Sequence, residues 1–99
     1  MLIHKTSVEF LKDIARRAKA RRLDLSLTQA GLAERSGVSL GSVKRFEKNG
    51  EISLHSLLKC ALVLERLDDF DQLFKKRDEI TSIDELLKKK TERKRGTKH

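Results

Sequence analysis

Apolar residues recur at intervals of three and four along most of this chain, and nowhere convincingly at two, so the pattern predicts helices. Val8, Leu11, Ile14, Ala15 and Ala18 mark the buried stripe of a first helix. Thr6 with Glu9 three residues later forms a capping box at its start, and Lys12, Arg16, Arg17, Lys19 and Arg21 occupy the opposite, solvated face. This helix is expected to end near Leu23, with Leu25 and Leu27 anchoring the loop that follows. Thr28 is the N-cap of a second helix beginning at Gln29. It runs through Leu32 and Ala33 and stops at Gly37, a residue suited to a left-handed helix end. Val38 fills the angle, and Ser39 caps a third helix that buries Val43 and Phe46 and ends near Glu47. Ala33 falls where the second and third helices cross. Asn49-Gly50 reads as a loop. Ser53 caps a fourth helix with Leu54, Leu57, Leu58, Ala61 and Leu62 on its face. Asp68 or Asp69 opens a short fifth helix with Phe70, Leu73 and Phe74, and Lys75 to Ile80 is a polar connector. Ser82 and Glu85 form a second capping box, opening a short sixth helix with Ile83, Leu86 and Leu87.

The expected fold is therefore all-α, with five helices, a short extra C-terminal helix and a tail. The absence of proline agrees with it. The expected organisation is a main domain over 1–75, a connector with a short helix over 76–87, and a tail over 88–99. Charge sharpens that division. The chain carries a net +8, but Lys88, Lys89, Lys90, Arg93, Lys94, Arg95 and Lys98 face only Glu92, so the tail alone holds +6 and residues 1–87 hold +2. The tail is expected to be disordered when free. Its basic character suits nucleic acid phosphates or an acidic protein surface, against the plainer reading of a solubilising end.

A single cysteine, Cys60, excludes an internal disulfide and suits the cytosol. No apolar run approaches the length of a membrane span, and the start of the chain lacks the apolar stretch of a signal peptide. A soluble cytoplasmic protein with no membrane contact is expected. His4, His55 and His99 are scattered, and His55 and Cys60 point to different faces of one helix. No metal-ligand spacing, phosphate loop or nucleophile constellation is present, so neither an enzyme nor a cofactor is expected.

The third helix holds the candidate chemistry. At about 100° per residue, Val43 and Phe46 face inward together. Leu40, Gly41, Lys44 and Arg45 then lie outward. Lys and Arg can donate to guanine O6 and N7, and Leu can touch a thymine methyl. The plainer alternative for Lys44 and Arg45 is solvation or phosphate contact. The segment 28–47 resembles the helix-turn-helix of the Cro/C1, or XRE, family of phage-type repressors at Gln29, Leu32, Ala33, Gly37, Val38, Val43, Phe46 and Glu47. The resemblance covers roughly residues 8 to 75. It implies a lambda-repressor-like domain in which Leu40, Gly41, Lys44 and Arg45 face base edges in the major groove. It also implies that Gln29 contacts a backbone phosphate, with Thr28, Ser39 and Ser42 as similar candidates beside their capping roles. Arg22 and Glu47 resemble the family's buried ion pair, the alternative being that Arg22 belongs to the solvated basic face, where Arg21 is placed.

Such domains are small, and two-fold symmetry doubles what they read. A homodimer on an inverted-repeat double-stranded operator is expected, acting as a transcriptional repressor. Phe70, Phe74, Ile83, Leu86 and Leu87, left over once the first four helices fill the core, are its expected interface. Arg45-Phe46-Glu47, Gly50 to Leu54 and Leu57-Leu58 also look like the HipB-like antitoxins encoded beside HipA-type kinase toxins. That resemblance implies autoregulation of a toxin–antitoxin operon and a toxin kinase as a possible partner. The alternatives are an antitoxin whose main task is to neutralise the toxin, and a phage-type repressor with no toxin partner. RNA binding is disfavoured, because few aromatic residues are available to stack bases.

Overall fold

The computed structural model describes residues 5–80, with side chains as far as Asp78. These residues form α1 (Ser7–Asp24), α2 (Gln29–Ser36), α3 (Leu40–Asn49), α4 (Leu54–Val63), a 3-10 helix (Leu67–Gln72) and α5 (Arg77–Ile80), with no strand among them. The fold is all-α. The expected sixth helix with Ile83, Leu86 and Leu87, and the basic tail from Lys88, lie outside the described residues. The chain divides into two units, one ending at Asp68 and one beginning at Asp69.

In the first unit every α-helix start is capped by the hydroxyl residue that precedes it. Thr6 Oγ1 accepts from the Glu9 backbone N–H at 3.1 Å while the Glu9 carboxylate accepts from the Thr6 N–H at 2.8 Å, a complete capping box. Thr28, Ser39 and Ser53 each accept from the backbone N–H three residues on. On the exposed side of α1, Asp13 accepts from Lys5 and Arg16. These two bonds hold its carboxyl down at about 2.

The helix ends fall into two kinds. α2 and α3 end on Gly37 (φ +78°) and Gly50 (φ +84°), each donating back four residues, to Ala33 and Phe46. α1 and α4 place non-glycine residues in the left-handed position, Ser26 (φ 58°) and Glu65 (φ 62°). Both are Schellman turns. Leu27 N–H donates to Arg22 and Ser26 N–H to Leu23. Likewise Arg66 N–H donates to Ala61 and Glu65 N–H to Leu62. The two glycines differ in their surroundings. A Cβ on Gly37 would meet nothing within 4 Å, whereas one on Gly50 would lie 2.6 Å from the Leu11 carbonyl oxygen. Gly50 is therefore where the end of α3 and the backbone of α1 come together.

α3 packs on α1 and α2, and α2 packs on α4. The core is Leu32, Ala33, Val38, Val43, Cys60 and Leu64, with Ala18, Leu25, Leu27, Ile52 and Val63 against it. Ala15, Phe46 and Ala61 are buried as well. Val38, at the turn between α2 and α3, is 5% exposed. Its N–H donates to Ser36 Oγ, which in turn donates to the Ala33 carbonyl, so the N–H of this buried residue is paired.

Several details depart from the periodic reading. Val8 and Leu11 of α1 are 53% and 41% exposed, and the buried face begins only at Ala15. On α4, Leu54 and Leu62 are exposed while Cys60 is buried. The core turns α4 by its small residues Cys60 and Ala61, which let α2 approach closely. Burial pushes the Cys60 thiol up. α3 runs two residues beyond Glu47, to Asn49, because Gly50 and not Glu47 supplies the left-handed stop. The expected fifth α-helix is a 3-10 helix instead. Three aspartates within Leu67–Gln72 oppose a longer helix. The expected connector from Lys75 carries the short α5.

Candidate nucleic-acid interface

The first turn of α3 starts at Leu40 because Ser39 caps it and Gly37 has already reversed the chain. From there the inward positions Val43 (0% exposed) and Phe46 (2%) fix the rotation of the helix. That rotation leaves Leu40, Gly41, Lys44 and Arg45 exposed together. Among the described residues Lys44 and Arg45 make no ion pair, so their donors face solvent. A cleft beside them is lined by Ser42, Arg45, Glu51, Ile52, Ser53 and Ser56. It lies between α3 and the capped start of α4. Gly41 carries no side chain, and a Cβ there would meet nothing within 4 Å.

The hydroxyls at this end of α3 are arranged with direction. Ser39 Oγ accepts from the Ser42 N–H at 3.1 Å and donates to Ser42 Oγ at 2.8 Å. The Ser39 hydroxyl hydrogen is thereby used. The Ser42 hydroxyl hydrogen remains for an outside acceptor. At the start of α2, Thr28 Oγ1 accepts from Gly31 N–H. The backbone donors of the first turn not reached by that cap sit at the positive end of the helix.

Behind this surface lies a polar junction. Arg22, 5% exposed, donates through Nε to Glu47 Oε2 at 2.7 Å and through Nη2 to Glu47 Oε1 at 3.0 Å. Its Nη1 donates to the Leu27 carbonyl at 2.7 Å. Glu47 Oε1 also accepts from Gln29 Nε2 at 2.9 Å. The side chains of the Arg22–Glu47 pair are 7% and 5% exposed. Burial raises the Glu47 carboxyl. Hydrogen bonds from Arg22 and Gln29 and the charges of Arg22 and Lys19 outweigh that effect and hold it below its ordinary value. One carboxylate thus joins the end of α1, the first residue of α2 and the last turns of α3, and Arg22 carries the link on to the loop before α2. Among the described residues, no buried side-chain nitrogen or oxygen lacks a hydrogen-bond partner.

Two side chains behave differently from the sequence reading. Gln29 is half-buried, and one of its amide hydrogens is engaged inward by Glu47. Only the second amide hydrogen and the backbone N–H can serve an outside anion. Arg21 is not on the solvated face. Its Nε donates to the Leu64 carbonyl at 2.9 Å, and its Nη2 reaches Glu65 Oε1 at 3.3 Å. It neutralises the carbonyl end of α4, a role visible only once α1 and α4 are placed. In the second unit, Phe70 is half-buried and Phe74 is fully exposed. They do not share a helical face, because the 3-10 helix ends at Gln72 and Phe74 turns left-handed (φ 62°).

Among the described residues no helix is long and apolar enough to cross a membrane, and no group of three or more His, Cys, Asp or Glu is placed to hold a metal ion. A family model described as helix-turn-helix matches residues 19–69. The matched span runs from the second half of α1 into the 3-10 helix and contains the polar junction and the whole exposed face of α3. No curated protein and no solved structure matches the chain.

Proposed function

Because the chain belongs to the helix-turn-helix family of DNA-binding transcription regulators, we propose that it is a sequence-specific repressor that inserts α3 into the major groove of double-stranded DNA. The observation that carries this is the face of α3. Val43 and Phe46 hold the helix from behind, and Leu40, Gly41, Lys44 and Arg45 stand together in solvent. Lys44 and Arg45 donate to guanine edges, and Leu40 contacts a thymine methyl. Gly41 lets the backbone approach the bases. The capped starts of α2 and α3, with Gln29 and the Ser42 hydroxyl, bind phosphates on either side and set the register. Thr28 and Ser39 hold those helix starts in shape.

The operator is an inverted repeat read by a homodimer, since one such domain spans too few base pairs for specificity. Phe70 and Phe74 with Ile83, Leu86 and Leu87 form the dimer contact. Full exposure of Phe74 supports that assignment. The basic tail adds salt-dependent affinity through phosphates. The setting in an autoregulated toxin–antitoxin operon rests on Arg45 to Glu47, Gly50 to Leu54 and Leu57-Leu58 alone. Co-purification with a HipA-type kinase tests it.

The central test is selection from a randomised duplex library. Arg45→Ala and Lys44→Ala should each relax preference at particular base pairs, at about 1–3 kcal/mol for a bidentate contact. Wild-type base preference in both variants would refute the assignment of this face.

A further inference from the structure

We propose that Glu51, in the loop between α3 and α4, is a specificity-determining residue that disfavours phosphate contact by Arg45 and leaves that side chain for a neutral base edge. The inference rests on the DNA-binding reading above. An exposed arginine on such a surface has two competing uses. Its guanidinium can donate to a phosphate, which every sequence offers, or to guanine O6 and N7, which only some positions offer. The first use adds affinity for DNA at large and carries no sequence information. Arg45 makes no ion pair among the described residues, so nothing in the protein commits it to either.

The cleft beside Arg45 supplies the bias. Its charged lining residues are Arg45 and Glu51. Without Glu51 this place would suit an anion. α4 begins here, its cap Ser53 accepts from the Ser56 N–H, and the remaining donors of that first turn sit at the positive end of the helix. Glu51 adds the opposite sign. It is exposed, and its backbone is held in place. Its N–H donates to Asn49 Oδ1 at 3.0 Å, and Gly50 before it lies close against the Leu11 backbone. The cleft has a volume of about 240 Å³, so charges on its walls act on one another across about one Debye length, ~8–10 Å at ordinary salt. A phosphate held by Arg45 carries a full negative charge and is repelled. A guanine edge carries none, so the carboxylate weakens one use of Arg45 and spares the other.

The test compares the full-length protein with Glu51→Gln and Glu51→Asp on two duplexes, one of random sequence and one carrying the sequence that the wild type selects from a library. Glu51→Gln should bind random duplex about three- to tenfold more tightly, the effect of one unit charge at that range in a partly aqueous setting. Its gain on the selected duplex should be smaller, so the ratio of the two affinities falls. On random duplex its slope of log K against log salt should steepen by about 0.9, one added phosphate contact. Glu51→Asp keeps the charge and should keep the wild-type ratio. In an Arg45→Ala background, Glu51→Gln should leave the ratio unchanged. Unchanged or weaker binding of random duplex by Glu51→Gln would overturn the inference. An equal gain on both duplexes would overturn it as well, because the carboxylate would then act through net charge alone. So would an equal fall in ratio for Glu51→Asp, or the same fall without Arg45. Failure of the wild-type protein to bind any duplex would instead overturn the DNA-binding reading itself.

Discussion

Gly50→Ala should damage this protein far more than Gly37→Ala, although both glycines end a helix at nearly the same backbone angle. The angles are +84° and +78°, so both substitutions carry the left-handed penalty of an L-residue, about 1–2 kcal/mol. At Gly37 nothing lies within 4 Å of the new methyl group, and that penalty is the whole effect. At Gly50 the methyl would lie 2.6 Å from the Leu11 carbonyl oxygen and 2.7 Å from its carbonyl carbon and Cβ. The obstructing atoms are mostly backbone within α1, which cannot swing aside as a flexible side chain would. The end of α3 must then lift from α1. Forced overpacking of this kind costs about 1–3 kcal/mol, so the total at Gly50 is about 2–5 kcal/mol. Thermal unfolding followed by circular dichroism reads the difference at about 4–8 °C per kcal/mol for a domain of this size. Equal melting temperatures for the two variants would refute the close approach of α3 to α1 and leave only the backbone angle.

Three further outcomes follow from the junction and the helix ends. Arg22→Met and Glu47→Gln should each cost about 3–5 kcal/mol by stranding the other partner. A double-mutant cycle in urea should show coupling well above the ~0.2–1 kcal/mol of exposed pairs, and additive effects would contradict burial of the pair. Because the folded Glu47 carboxyl is held below its ordinary 4.5, the stability it contributes is complete above that value and is lost as pH falls through the lowered one. The urea midpoint of the wild type should therefore fall with acid more steeply than that of Glu47→Gln, and parallel curves would count against it. Glu65→Gly should stabilise the protein by about 1 kcal/mol. It relieves a left-handed non-glycine residue and loses only the 3.3 Å contact to Arg21 on a side chain that is 71% exposed, worth little. An unchanged or lower melting temperature would argue against strain at that turn.

The helix starts and the glycine ends are legible in the chain because their causes are local. A hydroxyl three residues ahead of a free N–H, or a glycine after an apolar stripe, acts on its own neighbourhood. The same holds for the inward pair Val43 and Phe46, which one helical wheel places together. Features set by a second element are not legible in this way. Periodicity cannot tell that α4 is turned toward α2 by Cys60 and Ala61, leaving Leu54 and Leu62 outside. It assigns Arg21 to solvent because the Leu64 carbonyl is 43 positions away. The inward hydrogen bond of Gln29 and the left-handed turns at Ser26 and Glu65 are hidden for a related reason. No residue type announces them, and only the packed neighbours make them favourable. The 3-10 helix was obscured differently, since Phe70, Leu73 and Phe74 mimic a helical stripe that the aspartates around them do not sustain.

The outward face of α3 lies outside the buried core of the domain. Val43, Phe46, Glu47 and Gly50 anchor the helix from within and at its end, whereas Gly41, Lys44 and Arg45 are exposed and make no ion pair among the described residues, and Leu40 is 37% exposed. Exposed positions of that kind usually tolerate replacement within about ±0.5 kcal/mol. Four neighbouring residues can then drift through sequence while the domain beneath them stays the same, and new preferences can arise in a lineage without passing through an unfolded ancestor. The anchoring positions have no such latitude. In descendants of this chain, divergence should therefore gather on one side of a single ten-residue helix, with its opposite side nearly unchanged.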